Sequence, residues 1–578
     1  MKRDIARPST LENIRHSLAH LLAMAVLKKF PSSKLGIGPT IENGFYYDFG
    51  LPRALTAAEL PELEQTMREL IAKNPKFKGR KTAPAEARKI FKEQPFKLDL
   101  IREFTKGKKP LTLYRSGDFV DLCRGGHVGN ASEINPQAFR LTNLAAAYWR
   151  GDERKPQLTR IYGVAFETVE ELKRYQQLQE EIEKRDHRVL GEKLELFSQH
   201  GVAPGAIFWH PKGMILWRGL EEFMRKKLDA AGYGEISTPV MVKKDVFERS
   251  GHWEHYRKNI FTLKINTETY ALKPMNCPES TYIYSSRLRS WRDLPLRFSE
   301  ITDRLHRNEP SGTLGGLFRV RQMTQDDAHI YCRPDQIESE IEELIGLIKR
   351  VYTIFDLPLS FNLATKPRKA MGDPKLWKRA ERALEKVLKN SRIPYILKPG
   401  DGAFYGPKID VNARDSLGRE WTVATIQLDF LMPQRFELAY IDVQGKKQYP
   451  VMIHRAILGS FERFIGILIE HYAGAFPFWL SPIQVAVLSV ADAARSYSAS
   501  VATELEGHGI RVSRDDRNET IGKKIREAEL QKIPYLLIIG QREAESKTIA
   551  VRKRGAGDQG GMRLESFLAM AKQENQYD

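Results

Sequence analysis

The sequence predicts a multidomain α+β protein whose middle is an antiparallel sheet with flanking helices. Three observations support this prediction. The 578 residues suffice for three or four domains of about 150 residues each. Strand-like runs broken by Gly and Pro fill the middle of the chain, with helical segments such as IESEIEELIGLIKRVYTIF between them. Near the C-terminus, short buried-type strands alternate with helices, which is typical of an α/β domain.

The domain boundaries follow from these changes of pattern. The first domain, residues 1–165, holds the helical run HSLAHLL, the loop-rich stretch GIGPTIENGFYYDFG and the block VDLCRGGHV. Residues 166–186 form a charged helix with little apolar surface to bury, so we interpret them as a linker. The central domain spans 187–480. The strands QVAVLSV, IRVSRD, YLLIIG and TIAVRKR belong to the last domain, 481–578.

Composition narrows the class of protein. The chain has 92 Lys and Arg against 73 Asp and Glu, and its net charge of +19 suits a phosphate-backbone partner without proving one. Cys123, Cys277 and Cys332 form no CxxC pair, which argues against a disulfide scaffold and favours the cytoplasm. The apolar run LAHLLAMAVL is interrupted by His20 and followed by two lysines, so we expect neither a signal peptide nor a membrane span.

Residues 305–332, LHRNEPSGTLGGLFRVRQMTQDDAHIYC, carry the densest group of chemically active side chains. Turn-forming PSG and GG separate the strand-like runs RFSEITDRLHRNE and GLFRVRQMT, which predicts an antiparallel hairpin. Arg307 would bind an α-phosphate and Arg319 the outer phosphates, because a guanidinium pairs with phosphate bidentately and stays charged. Glu309 would share the strand face of Arg307 and accept a hydrogen bond from an adenine amino group.

Together with PMNCP at 274–278 and MIHRAILGSFERFIGIL at 452–468, this segment resembles class II aminoacyl-tRNA synthetases, and among them the bacterial threonyl-tRNA synthetase family. The resemblance covers essentially the whole chain. Pro239 matches the first signature of the class, and Arg307 and Glu309 match the second. The third signature is matched by Gly459, Glu462 and Arg463. The first signature forms the dimer in that class, so the resemblance implies a homodimer.

The resemblance also implies an ATP-dependent ligase. Such an enzyme makes threonyl-adenylate from L-threonine and Mg²⁺·ATP and then transfers threonine to tRNA(Thr). An N-terminal editing domain and a C-terminal anticodon-binding domain would flank the class II catalytic domain. Because the match begins in the editing-like domain, we expect the ubiquitin-like N-terminal module of most bacterial relatives to be missing. The implied catalytic residues are Arg307, Arg463, Lys408 and His252, and the implied ATP-binding residues are Arg307, Glu309, Arg319 and Arg463.

The same resemblance implies a Zn²⁺ site made by Cys277, His329 and His454, although each of them, taken singly, is more often a buried structural residue. One thiolate and two imidazoles leave open coordination on the ion, which suits a substrate site. An ion that binds both the amino group and the hydroxyl of threonine can discriminate against the nearly isosteric valine by ~10⁴ to 10⁵. The resemblance implies that Asp327 accepts a hydrogen bond from the threonine hydroxyl. It implies that Gln325 and Tyr405 bind the ammonium group, and that Met275 and Gln427 line the pocket.

Serine would need a second, hydrolytic site, because it carries the same hydroxyl and lacks only a methyl group, worth ~1 to 3 kcal/mol in a pocket. The chain contains a His pair and a Cys/His pair, each spaced by four residues, the first on a predicted helix. By composition they suit a zinc site, but the resemblance implies a water-based hydrolysis of seryl-tRNA(Thr), and we predict no metal here. The matched editing positions are His16, His20, Lys97, Asp121, Cys123 and His127.

The C-terminal resemblance lies in RDDRNETIGKKIREAEL and IIGQREAESKTIAVRKR. Asn518, Glu543 and Arg552 are candidates for contacts with anticodon bases, and Lys523 and Lys524 for contacts with phosphates.

Three departures from the family pattern remain. CPES replaces CPGH at 277–280, CRGGH replaces CRGPH, and Trp421-Thr422 stands where Trp-Gln is common. Two alternatives stay open. A synthetase-like RNA-binding regulator would have lost some of Arg307, Glu309, Arg463 and the zinc ligands, which are all present. A prolyl or seryl synthetase would not be expected to combine this triad with this editing domain.

Overall fold

The computed structural model describes residues 10–301 and 304–577. These residues belong to two compact units, Met1–Glu180 and Glu181–Asp578. Within the described ranges, no helix is both long enough and apolar enough to cross a membrane.

From residue 10 onward, the first unit contains two antiparallel sheets and four helices, and a fifth helix begins near its C-terminal end. Five strands form one sheet in the order β1-β3-β8-β7, with β2 paired to β3, and the other sheet has the order β4-β5-β6. The elements are α1 (Leu11–Lys29), β1 (Lys34–Leu35), β2 (Thr40–Ile41), β3 (Gly44–Gly50), α2 (Leu60–Ala72), β4 (Phe77–Thr82), α3 (Pro84–Ile90), α4 (Pro95–Lys106), β5 (Leu111–Ser116), β6 (Phe119–Leu122), β7 (Phe139–Tyr148), β8 (Gln157–Ala165) and α5 (Val169–Arg185).

Helix α1 places the first group of candidate site residues. It begins at Thr10, whose hydroxyl accepts a hydrogen bond from the Asn13 N–H. The middle of the helix is buried against β3 and α2, and His20 lies within that buried stretch. Among the side chains of helix α5, Leu172 is the one that is buried.

The central part of the second unit contains a nine-stranded sheet among the described residues, in the order β11-β16-β18-β25-β22-β21-β19-β20 with β17 paired to β18. The elements are α6 (His187–Lys193), β9 (Phe197–Ser198), β10 (Phe208–Trp209), α7 (Pro211–Ala230), β11 (Gly234–Glu235), β12 (Met241–Lys243), α8 (Asp245–Ser250), α9 (His252–Tyr256), β13 (Thr262–Ile265), β14 (Glu268–Leu272), α10 (Cys277–Tyr284), β15 (Arg289–Ser290), β16 (Leu296–Glu300), β17 (Arg304–His306), β18 (Gln322–Cys332), α11 (Ile337–Ile354), β19 (Leu359–Ala364), α12 (Pro374–Asn390), β20 (Tyr395–Lys398), β21 (Lys408–Arg414), β22 (Glu420–Asp429), α13 (Met432–Arg435), β23 (Tyr440–Ile441), β24 (Lys447–Gln448), β25 (Val451–Ser460) and α14 (Phe461–His471).

This central sheet is antiparallel except where β11 meets β16 and β19 meets β20. Apolar faces of α7, α11, α12 and α14 form one continuous core with it. The predicted antiparallel sheet with flanking helices is therefore confirmed. Its register brings distant parts of the chain together, because His329 on β18 lies directly opposite His454 on β25, and Gln427 on β22 lies opposite His454 on the other side.

The predicted hairpin within 305–332 is only partly correct. Strand β17 ends at His306 and β18 begins at Gln322, so GLFRVR is part of a loop and not of a strand. The loop backbone bonds elsewhere: the Arg321 N–H donates to the Gly205 carbonyl, and Gly316 adopts a φ of +52°. The Glu309 N–H donates to the Arg307 carbonyl in a tight turn, so the expectation that Glu309 shares a strand face with Arg307 is wrong.

The C-terminal part of the second unit is an α/β domain, as predicted. Its five-stranded sheet has the order β27-β26-β28-β29-β30, with parallel pairing around β26 and antiparallel pairing from β28 onward. The elements are β26 (Val485–Ser489), α15 (Arg495–Gly507), β27 (Val512–Asp515), α16 (Ile521–Leu530), β28 (Tyr535–Ile539), α17 (Gln541–Ser546), β29 (Ile549–Lys553), β30 (Gly557–Met562) and α18 (Leu564–Glu574). Strand β30, GDQGGM, was not predicted, because a glycine-rich polar segment has a low β-propensity.

Candidate active site

A cationic pocket of about 380 Å³ lies beside the loop that joins β17 to β18. Three guanidinium groups line it, those of Arg307, Arg319 and Arg463, together with the carboxylate of Glu309. Burial lowers the pKa of Arg463, and the positive charges of Arg307 and Arg319 lower it further. Because three like charges repel one another in a partly buried pocket, the arrangement favours a polyanionic ligand.

The walls of this pocket position the arginines through backbone contacts. Arg307 Nε donates to the Pro274 carbonyl at 3.3 Å, and Arg463 Nε donates to the Phe318 carbonyl at 3.1 Å. The Arg319 guanidinium pairs with the Glu309 carboxylate at 2.8 Å. A phosphate that binds Arg319 would therefore compete with Glu309 for this guanidinium.

The end of β25 and the start of α14 bring Arg463 into the pocket. Gly459 has a φ of +73°, and a Cβ at this position would lie 2.9 Å from the Val423 carbonyl oxygen. Ser460 is the N-cap of α14, and its hydroxyl accepts from the Arg463 N–H at 3.2 Å. The glycine and the cap together turn the chain from the strand into the helix and set the position of Arg463.

Cys277, His329 and His454 form a buried cluster whose ligand atoms all lie within 4.8 Å of one another. The two histidines face each other across β18 and β25, and Cys277 begins α10. One sulfur and two imidazole nitrogens form a donor set that zinc prefers. The three residues therefore fit such an ion.

The protonation of this cluster also suits a metal. Burial lowers the pKa of His329 well below its usual range, so this ring keeps a free lone pair at neutral pH. Burial raises the pKa of Cys277, and the nearby carboxylates Asp327, Glu279 and Asp429 raise it further. A bound cation would reverse this effect and favour the thiolate. His454 Nε2 lies 3.1 Å from the Asp429 carboxylate, a contact that orients the ring.

Strand β18 connects the metal cluster to the arginine pocket. Gln325, Asp327 and His329 follow one another in alternation along it, with an irregularity in the pairing between the first two. Gln325 lines the arginine pocket, while an Asp327 oxygen lies 3.9 Å from His329 Nε2 and accepts from the Asn276 amide at 3.1 Å. The predicted substrate residues therefore run from one site to the other.

Three other predicted residues, Tyr405, Gln427 and Met275, lie beside the metal cluster, and Lys408 lies on the strand next to Gln427. Tyr405 donates a hydrogen bond to Gln427, and its ring lies 4.9 Å from that of His454. Lys408 lies opposite Gln427 on the adjacent strand and pairs with Asp410. Met275 packs against the small apolar cluster that contains Cys277.

His252, predicted to act in transfer to tRNA, also lies here. It is fully buried, its Nε2 is 3.7 Å from Cys277 Sγ, and its Nδ1 is 2.7 Å from the Ser250 hydroxyl. Burial lowers the pKa of His252 to about 3, and nearby His454 and Arg307 contribute to the shift. The ring is therefore neutral at physiological pH, which is the form that can accept a proton.

Sequence reasoning missed Asp326 and Arg455, which support this site from behind. The buried Asp326 carboxylate accepts from the backbone N–H groups of Ile457, Leu458 and Gly459, and Arg455 Nη1 donates to its carbonyl at 2.7 Å. Burial raises the pKa of Asp326 to about 7, although Arg455 and these hydrogen bonds oppose the shift. Two successive aspartates in the sequence were a possible signal of such a role. Only the fold shows that Asp327 faces the site and that Asp326 binds the backbone of β25.

The CPES departure places an acid where the family has a glycine. Glu279 is 4% exposed, and its carboxylate oxygens have no hydrogen-bond partner among the described residues. Burial raises its pKa to about 8, so the side chain is mostly neutral at pH 7. Thr422, the residue of the third departure, lines the arginine pocket. Its hydroxyl donates to the Asn412 side chain at 2.8 Å.

A separate cluster lies in the first unit. Cys123 Sγ is 3.3 Å from His16 Nε2 and 3.2 Å from His127 Nε2, and the His20 and His127 rings are 4.2 Å apart. A pocket of about 590 Å³ opens over His16, His20 and Cys123. The two sequence pairs therefore do meet in one site.

Lys97 and Asp121 complete this cluster through a residue that sequence reasoning missed. The Tyr47 hydroxyl donates to Asp121 at 2.6 Å and accepts from Lys97 Nζ at 3.0 Å, and Lys97 also forms an ion pair with Asp121. His20 Nε2 lies 3.6 Å from the same carboxylate. All these groups are buried, so the network is rigid and polar at the base of the pocket.

The histidines of the first unit are neutral at physiological pH. Burial lowers the pKa of His127 to about 2, and the neighbouring His20 and His16 rings contribute. Burial also raises the pKa of Cys123 to about 11, so the thiol keeps its proton. His16, His20, Cys123 and His127 nevertheless place four ligand atoms within 4.8 Å of one another, so geometry alone permits a metal.

The candidate RNA-binding residues of the C-terminal domain occupy different environments. Asn518 is exposed, Arg552 pairs with Glu529 at 3.1 Å, and Glu543 caps α17 by accepting from the Gly540 N–H. The prediction that Lys524 binds phosphate is wrong, because its amine is buried and donates to the carbonyls of Ser489 and Asp515. It lies on the inner face of α16, whereas the adjacent Lys523 is exposed.

Three family models match the chain. They are the tRNA synthetase class II core domain (G, H, P, S and T) over residues 261–472, the anticodon binding domain over 484–574, and the threonyl and alanyl tRNA synthetase second additional domain over 111–162. The arginine pocket and the metal cluster fall mostly within the first match, and Asp121, Cys123 and His127 fall within the third.

Individual relatives match over nearly the full chain. Proteins named threonine–tRNA ligase from Carboxydothermus hydrogenoformans and Acetivibrio thermocellus are each 48% identical over 556 residues, which cover 96% of this chain and 87% of the relative. The one from Thermotoga maritima is 47% identical over 571 residues, 98% of this chain and 88% of the relative.

Two solved structures are also similar. A structure described as the RNA binding domain of threonyl-tRNA synthetase from Cryptosporidium parvum Iowa II has a TM-score of 0.65 at 40% identity, covering 67% of this chain and 98% of that one. The putative threonyl-tRNA synthetase ThrRS-1 from Aeropyrum pernix has a TM-score of 0.61 at 28% identity, covering 68% and 96%.

Proposed function

This chain belongs to the threonine–tRNA ligase family of class II aminoacyl-tRNA synthetases, and from that premise we propose that its arginine pocket activates ATP while its metal cluster selects threonine. One observation carries the proposal. Strand β18 contributes Gln325 to the pocket and His329 to the metal cluster, with Asp327 between them. An amino acid held at the metal would direct its carboxylate toward the pocket along this strand.

The arginine pocket accounts for the adenylation step. Arg307 binds the α-phosphate of Mg²⁺·ATP and stabilises the negative charge that develops as the threonine carboxylate attacks. Arg463 stabilises the same charge, and Arg319 holds the outer phosphates. Glu309 accepts from the adenine amino group, and Lys408 adds positive charge near the reacting carboxylate. Pyrophosphate leaves and threonyl-adenylate remains.

The metal cluster accounts for the choice of threonine. Cys277, His329 and His454 would hold one zinc ion per chain. When bound, the ion would supply Lewis-acid coordination for an amino group and a hydroxyl. Asp327 accepts from the hydroxyl, and valine, which has none, leaves these polar groups unsatisfied. Gln325 and Tyr405 hold the ammonium group of threonine. Met275 and Gln427 line the pocket around it.

The second step transfers threonine to the terminal ribose of tRNA(Thr). His252 assists as a proton acceptor or by orienting the ribose hydroxyl, consistent with its neutral ring. Asn518, Glu543 and Arg552 contact the anticodon. Pro239 lies in the dimer-forming signature, so we infer a homodimer. We also propose that the enzyme works in the cytoplasm.

The first unit removes serine from mischarged tRNA. His16, His20, Cys123 and His127 bind the seryl end and orient a water molecule for attack on the ester, together with Lys97 and Asp121. The neutral rings support this role, because they can accept or relay a proton at neutral pH. We propose that this site works without a metal.

Threonine-dependent exchange of pyrophosphate into ATP tests the assignment of the arginine pocket. We expect Arg307→Ala to reduce exchange by at least about a hundredfold, because a transition-state donor is lost. Arg287→Ala, which removes an exposed arginine outside the pocket, is the control and should leave exchange unchanged. Full exchange by Arg307→Ala would contradict the assignment.

A panel of amino acids in the same assay tests the substrate. Threonine should support exchange, serine should support it more weakly, and valine and proline should not. Exchange with proline in place of threonine would contradict the proposed substrate and favour proline activation. A complete lack of exchange with bound tRNA would favour the RNA-binding regulator.

A further inference from the structure

A buried histidine outside the arginine pocket supports the loop that forms one of its walls. His187 begins α6 and is 3% exposed. Its Nδ1 lies 2.6 Å from a carboxylate oxygen of Glu470 on α14, and its backbone N–H donates to the same oxygen at 3.0 Å. On the other side of the ring, the Leu317 N–H donates to Nε2 at 2.9 Å.

These contacts determine the tautomer of the ring. Because Nε2 accepts a hydrogen bond from a backbone N–H, the proton is on Nδ1 and is donated to Glu470. Burial raises the pKa of Glu470, but hydrogen bonds from His187 and Arg419 outweigh it, and the net pKa is lowered. Glu470 is thus a charged acceptor that holds the imidazole in the orientation in which Nε2 accepts the Leu317 N–H.

The loop also fits closely around this ring. Gly316 has a φ of +52°, and a Cβ there would lie 2.0 Å from His187 Nε2. The Phe318 ring centre is 4.1 Å from that of His187 and 4.4 Å from that of Trp421. Three successive loop residues therefore rest on His187.

The same three residues lead directly into the pocket. The Phe318 carbonyl accepts from Arg463 Nε at 3.1 Å, and Phe318 and Arg319 both line the pocket. Any shift of Leu317 would move the acceptor of Arg463 and the backbone of Arg319 together.

We propose that His187 is a positioning residue for ATP: held by Glu470, it anchors Leu317 and so places Arg319 for the outer phosphates and Arg463 for the charge that develops at the α-phosphate, without touching the substrate. This inference rests on the proposed role of the pocket in binding ATP.

A metal-binding role for this cluster is less consistent with the contacts. Asp186, His187 and Glu470 also place ligand atoms within 4.8 Å of one another. Both ring nitrogens of His187 are already engaged, Asp186 pairs with Arg188, and Glu470 pairs with Arg419. Because these donors have protein partners, the cluster is better explained as a hydrogen-bonded anchor than as an ion site.

Steady-state exchange kinetics of the full chain test the proposal. His187→Phe keeps an aromatic ring beside Phe318 but loses both ring hydrogen bonds. We expect the KM for ATP to rise about tenfold or more, because the buried Leu317 N–H loses its acceptor and the buried Glu470 carboxylate loses one of its hydrogen bonds. The KM for threonine should stay unchanged. Inhibition by AMP, which lacks the outer phosphates that Arg319 holds, should weaken much less than the affinity for ATP.

Two further variants separate positioning from general damage. His187→Gln can present an oxygen to the Leu317 N–H and should restore much of the ATP affinity. His471→Ala is the matched control: this neighbouring ring accepts a backbone N–H from Ser416 at 3.0 Å, outside the pocket, and the KM for ATP should not change.

The outcomes distinguish a failure of the positioning role of His187 from a failure of the proposed ATP-binding role of the pocket. An unchanged KM for ATP in folded His187→Phe overturns the inference, and so does an equal loss of affinity for threonine and AMP. If His187→Phe does not fold, His187→Gln decides: it must bind ATP more weakly than the wild type and threonine equally well, or the inference is wrong. If Arg307→Ala retains exchange, the proposed role of the pocket fails first, independently of His187.

Discussion

Two cysteines of this chain sit beside histidines, but in different environments. Cys277 is buried with His329 and His454, whereas Cys123 is only partly buried and opens to a pocket. A buried thiol with two imidazoles can hold zinc while substrate occupies the remaining position. The difference predicts which cysteine retains the ion.

Metal analysis of purified protein measures that difference. We expect about one zinc per chain in the wild type, its loss in Cys277→Ala, and its retention in Cys123→Ala. Loss of the ion from Cys123→Ala alone would place the metal in the first unit and contradict the metal-free editing proposal.

The neutral histidines of the first unit predict a pH dependence of local stability. The folded-state pKa of His127 is about 2, below its ordinary value of 6.5. Between these values the unfolded chain binds a proton that the folded chain does not, so stability is present above pH 6.5 and is lost as the pH falls below it. The loss per histidine is at most about 1.4 kcal/mol per pH unit.

Hydrogen–deuterium exchange of α1, corrected for its intrinsic pH dependence, measures this effect. Protection should fall between pH 7.5 and pH 5, and His127→Gln, which cannot titrate there, should lose less protection over the same range. Equal losses in both proteins would show that His127 does not contribute.

At the residue scale, family motifs named the candidate site residues, whereas the placement of a side chain could not be predicted where it depends on the fold. Cys277, His329 and His454 have no informative spacing, and the sheet register is what pairs the two histidines. Lys524 looks like an exposed lysine in a basic run, but its position on α16 buries it. Charge in a sequence does not show which face of a helix is covered.

At the scale of elements, the turn from β25 into α14 carries a measurable constraint. Gly459 and Gly418 both have φ near +75°, but a Cβ at Gly459 would approach the Val423 carbonyl, whereas one at Gly418 would meet nothing within 4 Å. The backbone strain of an Ala substitution is therefore common to both sites, and only the steric contact differs.

Paired substitutions separate the two effects. Gly418→Ala should lower the free energy of unfolding by about 1 kcal/mol from strain alone. Gly459→Ala should lower it by more and should also reduce pyrophosphate exchange, because the start of α14 and Arg463 must shift. Equal stability losses with unchanged exchange would show that this turn does not set the position of Arg463.

Elements with a strong periodic pattern, such as α11 and the strands of the C-terminal domain, agree with the sequence prediction. The loop 307–321 does not, because its backbone conformation depends on partners elsewhere in the chain. Arg321 bonds to Gly205, and Leu317 bonds to His187. Local propensity contains no information about such partners.

At the scale of the whole molecule, synthesis and correction are assigned to different compact units. His20→Ala should slow hydrolysis of seryl-tRNA(Thr) by the full chain about tenfold or more, since a buried group of the pocket is lost. It should leave threonine-dependent exchange unchanged. Arg307→Ala should show the reverse pattern. A loss of both activities in either variant would contradict this division of labour.

The metal cluster has a consequence for the order in which the protein forms. Its ligands come from a helix start and from two paired strands of the central sheet. Such a site cannot exist before these distant segments have met, so the ion cannot nucleate folding as it does in a zinc finger. Zinc should enter a chain that is already folded, and a chelator should take it out again and leave the sheet intact. Loading of an ion at this cluster would therefore follow the folding of the central sheet.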